Sequence, residues 1–383
     1  AADFKRYFPT NALVTGYDII FFWVSRMIFQ SLHFTKRRPF ENVVLHGLIR
    51  DEQGRKMSKS LGNGIDPMDV VEKYGADSLR WFLLNGTAPG QDTRFSYTKM
   101  DSAWNFINKI WNASRFVIMN LPEDATAAHM PDVDTFDLSD KWIFDKLNRV
   151  VKKVSRLFDE FQFGEAGREM YNFIWNDFCD WYIEISKVAL NGTDEILKKH
   201  KQDNLVWILD QILRLIHPIM PFVTEKLWLS MPHNGKSIMV ASYPVVHSEF
   251  ENHVAEQDME FLIEIIKAVR NIRMEVNAPM SSAIDIMIQL DNSKDKHILL
   301  DNRDYVENFL HPKSLVVDTN VVAPKLAKSA VIAGAQIFVP LAELVDLSEE
   351  IAKMDKEIDH LQEEVKRCKA KLANKGFVDH APE

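Results

Sequence analysis

The last stretch of the chain constrains its architecture most. Leu344, Leu347, Ile351, Met354, Ile358, Leu361, Val365, Cys368 and Leu372 are spaced by alternating steps of three and four. That spacing gives four heptads of an a/d seam, with charged residues on the other faces. A single helix cannot bury such a seam alone. An antiparallel second strand just past Glu383 is the simplest supplier of a partner, and a parallel dimer is the alternative. Asn374, Lys375 and Gly376 form a natural stop. Residues 341–383 therefore read as the first helix of a coiled-coil arm, set apart from the rest of the chain.

The chain has 383 residues, 46% of them apolar and 11% aromatic. That length and content support several cores, two to four domains in all. No run of 18 uncharged apolar residues occurs, so no membrane span is expected. Ile19 to Val24 is apolar but meets Arg26, and reads as buried helix with Trp23 in the core. The two cysteines, Cys179 and Cys368, exclude a disulfide framework and a cysteine-rich structural zinc site, and fit a reducing, cytoplasmic setting. A net charge of −9 argues against a uniformly basic nucleic-acid binder. Its distribution says more. Residues 36–60 hold seven Lys/Arg against three acids, and Lys366, Arg367, Lys369, Lys371 and Lys375 form a basic stretch without an acid.

The chemistry concentrates in Arg55-Lys56-Met57-Ser58-Lys59-Ser60-Leu61-Gly62-Asn63, led in by Asp51-Glu52-Gln53-Gly54. Two ammonium groups and two hydroxyls on a short loop suit a phosphate chain that gains charge as it leaves. Before the loop, Leu13 to Gly16 and Asn42 to Gly47 read as strands of an α/β sheet. Asp18 reads as the N-cap of the helix that follows the first. Ligands in open α/β sheets sit at the carboxyl ends of strands, where both Asp18 and the loop fall. Asp66-Pro67 and Gly75-Ala76-Asp77 each start a helix.

From about Tyr97 to Ser230 the pattern is helical. Helices are expected over Lys99–Asn120 (Ile107, Ile110, Trp111, Ser114 and Val117 inward), Lys141–Phe161, Glu165–Leu190 and about Asn204–Arg214. A short one follows over Phe222–Leu229, and Leu121 to Asp140 reads as a surface loop. This is an antiparallel bundle. A helix over Gln257–Met274, strands near 284–290, 314–317, 330–333 and 336–339, and a helix over 301–310 make a small α+β module. Lys109, Asn112 and Phe116 recur at i, i+3 and i+7 and share a helix face. A cation, an amide and a ring together suit an unstacked RNA base.

Several of these strings carry a resemblance. Val14-Thr15-Gly16-Tyr17-Asp18, the Lys56-Met57-Ser58-Lys59-Ser60 loop and Tyr74-Gly75-Ala76-Asp77 resemble the later half of the class I aminoacyl-tRNA synthetase catalytic domain. Asn108 to Phe116 and Trp175 to Tyr182 look like its anticodon-binding bundle. The terminal heptads, closing on Lys371-Leu372-Ala373-Asn374, are similar to the coiled coil of valyl members of the class. Isoleucyl members are the nearest rival, but bacterial ones end in a cysteine-ligated zinc module that two distant cysteines cannot build.

The resemblance implies a mainly α, multidomain chain. Residues 1–96 would be the C-terminal half of a Rossmann-type catalytic domain, 97–250 the anticodon-binding bundle, 251–340 a junction module and 341–383 the coiled-coil arm. It implies ATP with Mg2+, valine and tRNA(Val) as ligands, no structural zinc, no membrane and a monomeric full-length enzyme. Lys56 and Lys59 would be catalytic. Gly47, Leu48, Met57, Ser58 and Ser60 would complete the ATP site, with Gly47 and Leu48 admitting the adenine. Asp18 would hold the α-ammonium of the amino acid and Ile19 shape its pocket. Lys109, Asn112 and Phe116 would meet the anticodon, and the basic terminal stretch the outer corner of the tRNA.

The chain shows no His-x-Gly-His type motif and no editing-sized segment, so it is expected to be the later part of a longer protein and inactive alone in amino-acid activation. A non-catalytic tRNA-binding module is the rival reading.

Overall fold

A computed structural model describes residues 2–122, 125, 127–279, 282–341 and 347–373. The chain divides into two compact units, 1–256 and 257–383.

The first unit opens with α1 (Ala2–Tyr7) and β1 (Thr10–Gly16). A 3-10 turn over Tyr17–Ile19 and a π-helical turn over Ile20–Val24 lead into α2 (Ser25–Thr35), which feeds β2 (Phe40–His46). β1 and β2 pair in parallel, Val14 opposite Val44 and Gly16 opposite His46, so this is a strand–helix–strand unit. Here the expected buried helix fails. Phe21 is 90% exposed and Trp23 54%, and only Val24 of that run is buried. An apolar run specifies burial only where a second surface meets it, and none does so here among the described residues.

The next pieces are β3 (Ile49–Arg50), α3 (Pro67–Tyr74), α4 (Ala76–Leu84) and β4 (Thr93–Arg94). β3 and β4 pair in parallel. Asp66 caps α3, accepting from the Met68 amide at 2.8 Å, with Pro67 at the first helical position.

The helical part comprises α5 (Tyr97–Met119), α6 (Leu138–Asp159), α7 (Phe163–Asn172), a π-helical stretch Phe173–Tyr182, α8 (Ile183–Leu190), α9 (Glu195–Ile216) and α10 (Pro221–Trp228). α6 packs on α7, α8 on α9, and α9 on α10. The inward stripe of α5 is Met100, Ala103, Phe106, Ile110, Ala113 and Val117. Trp111, expected inside, is exposed. The core is aromatic: Trp81 stacks on Phe106, and Phe144, Trp207 and Phe250 all touch one another.

Two boundaries move for physical reasons. α9 starts at Glu195, well before Asn204, because Asp194 caps it through the Ile196 and Leu197 amides. The acidic end of the expected loop instead begins α6. Asp137 and Asp140 form a reciprocal capping box, and Asp140 and Ser139 are buried. They are buried because Lys201 of α9 enters between them. Its ammonium lies 2.7 Å from both Asp137 Oδ2 and Asp140 Oδ1.

The second unit takes up most of α11 (His253–Glu275), then β5 (Ile284–Leu290), α12 (Ser293–Asp301), α13 (Arg303–Leu310), β6 (Pro312–Asp318), β7 (Ala327–Ile332) and β8 (Ala335–Pro340). The sheet runs β6-β5-β8-β7, parallel between β5 and β6 and antiparallel elsewhere. The expected α+β alternation is present, with α12 as an additional helix. The chain's last described element is α14 (Leu347–Ala373). Ile358, Leu361 and Val365 of its seam are exposed. Leu344 and the expected stop at Asn374–Gly376 lie outside the described residues.

Candidate active site

The loop from Asp51 to Asn63 is organised by its own side chains. Asp51 is buried and accepts from the Arg55 amide and from Arg55 Nε, each at 2.7 Å. Asn63 crosses the loop: its Oδ1 accepts from the Ser58 amide at 3.0 Å, and its Nδ2 donates to Asp51 Oδ2 at 2.9 Å. Asn63, with the Arg55 contacts, overrides desolvation and holds the Asp51 carboxyl down to about 2. Ser58 Oγ caps the short turn Lys59–Leu61 by accepting from the Leu61 amide, and lies 3.1 Å from Ser60 Oγ. Met57 is half-buried, while Lys56, Lys59 and Ser60 are exposed. The expected hydroxyls and ammoniums are therefore on one braced loop.

Asp18 does not cap its helix. The capping position is Gly16, which has no side chain, and the Asp18 carboxylate instead faces the loop, with Lys56 Nζ 3.5 Å from Oδ2. The structure thus brings Asp18 and Lys56 together across 38 residues of sequence. Ile19, next to Asp18, is half-buried.

Gly47 and Leu48 are held by a segment that sequence reasoning passed over. A Cβ on Gly47 would lie 1.8 Å from the Gln91 carbonyl oxygen, so the backbone of 91–92 occupies the space a side chain would need. The Leu48 amide donates to Asp92 Oδ1 at 2.8 Å. Asp92 Oδ2 accepts from the Tyr17 hydroxyl at 3.1 Å and pairs with Arg50 Nε. The Leu48 amide, ahead of Arg50 and Tyr17, keeps the Asp92 carboxyl below the ordinary carboxylate range. In sequence, nothing periodic marks Gln91-Asp92-Thr93.

On the bundle, α5 puts Lys109, Asn112 and Phe116 on one face, as expected. Lys109 is engaged by Asp180 at 2.6 Å and lies over the Trp175 ring. Asn112 is exposed. Phe116 is half-buried, with Lys187 Nζ 5.6 Å from its ring centre. Lys366, Arg367 and Lys369 are exposed on α14, and Arg367 pairs with Glu364 at 3.1 Å. Lys371 lies on that helix, and Lys375 lies outside the described residues.

The one His/carboxylate group among the described residues with metal-like spacing is Asp145, His253 and Glu256. Arg149 already bridges it, 3.2 Å from Asp145 and paired with Glu256, so positive charge is supplied from within.

Three family profiles match the chain: class I tRNA synthetases (I, L, M and V) over residues 1–96, the anticodon-binding domain of tRNA ligases over 140–288, and the valyl tRNA synthetase tRNA-binding arm over 346–383. A LeuRS–tRNA–LeuAMS ternary complex of Agrobacterium radiobacter K84 shares the fold, with a TM-score of 0.54 at 19% identity over 72% of this chain and 36% of that one. Methionyl-tRNA synthetase of Mycobacterium tuberculosis bound by methionyl-adenylate gives a TM-score of 0.51 at 23% identity, over 59% and 45%. A parallel βα unit with a braced lysine–serine loop, followed by an anticodon-binding helical domain, places the chain among class I aminoacyl-tRNA synthetases.

The valine--tRNA ligases of Lactobacillus acidophilus and Bacillus subtilis are 81% and 53% identical to it over 381 and 382 residues. The chain belongs to the valine–tRNA ligase family. It spans 43% of the length of these relatives, while they cover all of it. They lend no support to the isoleucyl alternative.

Proposed function

We propose that this chain works as the part of a cytoplasmic, monomeric valine–tRNA ligase that carries the leaving-phosphate clamp and most of the tRNA-binding surface. The observation that carries this is the loop: two exposed ammoniums on a frame braced by Asn63, Asp51 and Arg55, opposite Asp18.

In the reaction, the valine carboxylate attacks the α-phosphate of ATP, which arrives with Mg2+, and pyrophosphate leaves. The acyl group then passes to the 3′ end of tRNA(Val). Negative charge builds on the bridging oxygen and the pyrophosphate, where Lys56 and Lys59 neutralise it and Ser58 and Ser60 donate hydrogen bonds. Met57 anchors the loop on apolar surface. Asp18 holds the α-ammonium of valine, Ile19 borders its side chain, and Gly47–Leu48 present backbone to the adenine. One methylene more or less in such a pocket discriminates by only ~1–3 kcal/mol.

The division into 1–96, 97–250, 251–340 and 341–383 follows the same reading. In it, the face of Lys109, Asn112 and Phe116 meets the anticodon. The arm of α14, with Lys366, Arg367, Lys369, Lys371 and Lys375, meets the outer corner of the tRNA through salt-sensitive phosphate contacts.

Lys59→Ala in the full-length protein tests the clamp. Removing one preorganised donor of this kind costs roughly 10²–10³ in rate. Single-turnover adenylate formation is expected to fall by that factor while tRNA affinity holds. An unchanged rate would refute the assignment.

A further inference from the structure

A single carboxylate outside the signature loop gathers the three pieces that the proposed reaction needs in register. Asp92 accepts from the Tyr17 hydroxyl, next to Asp18, and from the Leu48 amide, next to Gly47. It also pairs with Arg50, which precedes the loop. The partners lie 42 to 75 residues away in sequence, so none is a local turn contact. Charge-assisted bonds of this kind are the strong ones, and three converge on one half-buried group.

Asp92 is itself carried by a strut anchored on the helical part. α4 holds the turn between α9 and α10 at both ends. Asp77 Oδ2 accepts from the Val223 amide at 2.7 Å, at the positive end of α10. Arg80, one turn on, donates to the Ile219 carbonyl at 2.7 Å and the Pro218 carbonyl at 3.1 Å. The chain leaving α4 then lies against the start of α7. The Gly86 amide donates to the Gly164 carbonyl at 3.1 Å, and a Cβ on Gly164 would lie 1.9 Å from the Thr87 carbonyl oxygen. From there the strut runs along the sheet, the Gly90 amide bonding the Leu45 carbonyl and the Thr93 amide the Leu48 carbonyl, each at 2.9 Å.

Building on the proposed function above, we propose that Asp92 is a positioning residue for the signature loop, and that residues 84–94 tie that loop to the helical bundle. Among the described residues the loop region is also tied by the looser Lys56–Asp18 contact at 3.5 Å and by the Phe95 amide, which donates to the Arg50 carbonyl at 2.9 Å. Its internal bonds, through Asp51, Arg55 and Asn63, fix its shape, whereas Asp92 and Arg50 fix where that shape sits relative to Asp18 and Gly47.

Two measurements test this separately from the function. Hydrogen exchange on the 383-residue chain reads the brace directly. Asp92→Ala is expected to raise exchange across residues 47–63 and leave 138–228 unchanged, with Asp92→Asn intermediate, since it keeps an acceptor for the Leu48 amide. Gly164→Ala, which must displace Thr87, is expected to loosen the same loop from the bundle side. A uniform rise over the whole chain, or an unchanged loop in either variant, overturns the proposal.

In the full-length protein, Asp92→Asn is expected to lower kcat for valine-dependent ATP–pyrophosphate exchange by roughly 10- to 100-fold, the range an ångström of misplacement costs, with KM for valine little changed. A drop in affinity at constant kcat would sink the positioning role. Absence of exchange in the wild-type full-length protein would sink the proposed function instead, and leave the hydrogen-exchange result standing.

Discussion

Lys201 offers the sharpest test of how the bundle holds together. The residue is 1% exposed, and its ammonium donates to Asp137, Asp140 and Ser139, while the Tyr182 hydroxyl donates to Asp140 at 2.6 Å. One cation therefore compensates two carboxylates and joins the start of α6 to α9 and to the end of the π-helical stretch. Lys201→Met keeps the length and removes the charge, leaving the buried Asp140 and the half-buried Asp137 without it. Breaking a buried ion pair in this way costs roughly 3–5 kcal/mol, and the second carboxylate puts the expected loss at the upper end.

The pH dependence follows with its sign. Burial, reinforced by the charge of Asp137, pushes Asp140 up to about 6 against the pull of Lys201 and Tyr182. Burial also raises Asp137, but Lys201, Ser139 and the Asp140 amide together outweigh it and hold that carboxyl below its ordinary value. Asp137 thus contributes stability that is present above the unfolded value of about 3.9 and lost as pH falls through its lower folded one. Asp140 contributes oppositely: its raised folded pKa costs stability from the unfolded value of about 3.9 upward and in full above the folded one, so acidification from pH 7 toward 5 recovers part of it. Without Lys201 both carboxyls take protons more readily, so the penalty in the Met variant is expected to shrink between pH 7 and pH 5. Urea unfolding followed by near-UV circular dichroism of the buried Trp142, Trp207 and Trp228 reads both numbers. A loss of only ~1 kcal/mol, as for an exposed pair, or an equal loss at both pH values, refutes the reasoning.

Three further outcomes are expected. Asn63→Ala removes the Ser58, Asp51 and Lys56 contacts at once. Each such bond is worth about a factor of two to ten in an opening equilibrium, so exchange at 58–61 should rise by roughly tenfold or more, and unchanged protection would mean Asn63 does not brace the loop. Because Asp51 is held to about 2, its contribution is complete above the unfolded value of about 3.9, and wild-type protection should be flat from pH 5 to 8. Phe116→Ala should weaken tRNA binding by roughly 1–3 kcal/mol in a filter-binding series if a base stacks there, and no loss would remove that role.

What the sequence carried was whatever is local. The loop string, the Asp66-Pro67 start of α3, the β-runs of the second unit and most helices depend on neighbours a few residues away, and they fell where their chemistry put them. What it hid depends on partners far along the chain. Asp92 carries no local pattern at all, and its role shows only when Leu48 and Tyr17 meet it. Asp137 and Asp140 look like solvated acids until Lys201 is seen between them. Trp23 and Trp111 have the composition of core residues, but burial belongs to the surface opposite, which no single helix pattern contains. Asp18 failed as a cap because the helical turn begins earlier, with Gly16 at the capping position, which leaves its carboxylate facing Lys56.

The charges around the loop divide by residue type. Arg50 and Arg55 are spent on the frame, each bound through Nε to a carboxylate, Asp92 and Asp51. The planar fork of a guanidinium suits a fixed, directional contact of that kind. Lys56 is only loosely held, 3.5 Å from Asp18, and Lys59 meets no carboxylate within ion-pair distance among the described residues. An ammonium on a flexible stem can follow a phosphate whose charge moves during a reaction, and it gains most when no internal anion competes for it. The arginines around the loop are therefore held as scaffold, while Lys56 is held only loosely by Asp18 and Lys59 by no carboxylate among the described residues. On the proposed reading that division suits a clamp on a departing group, because the frame must not move while the charge does.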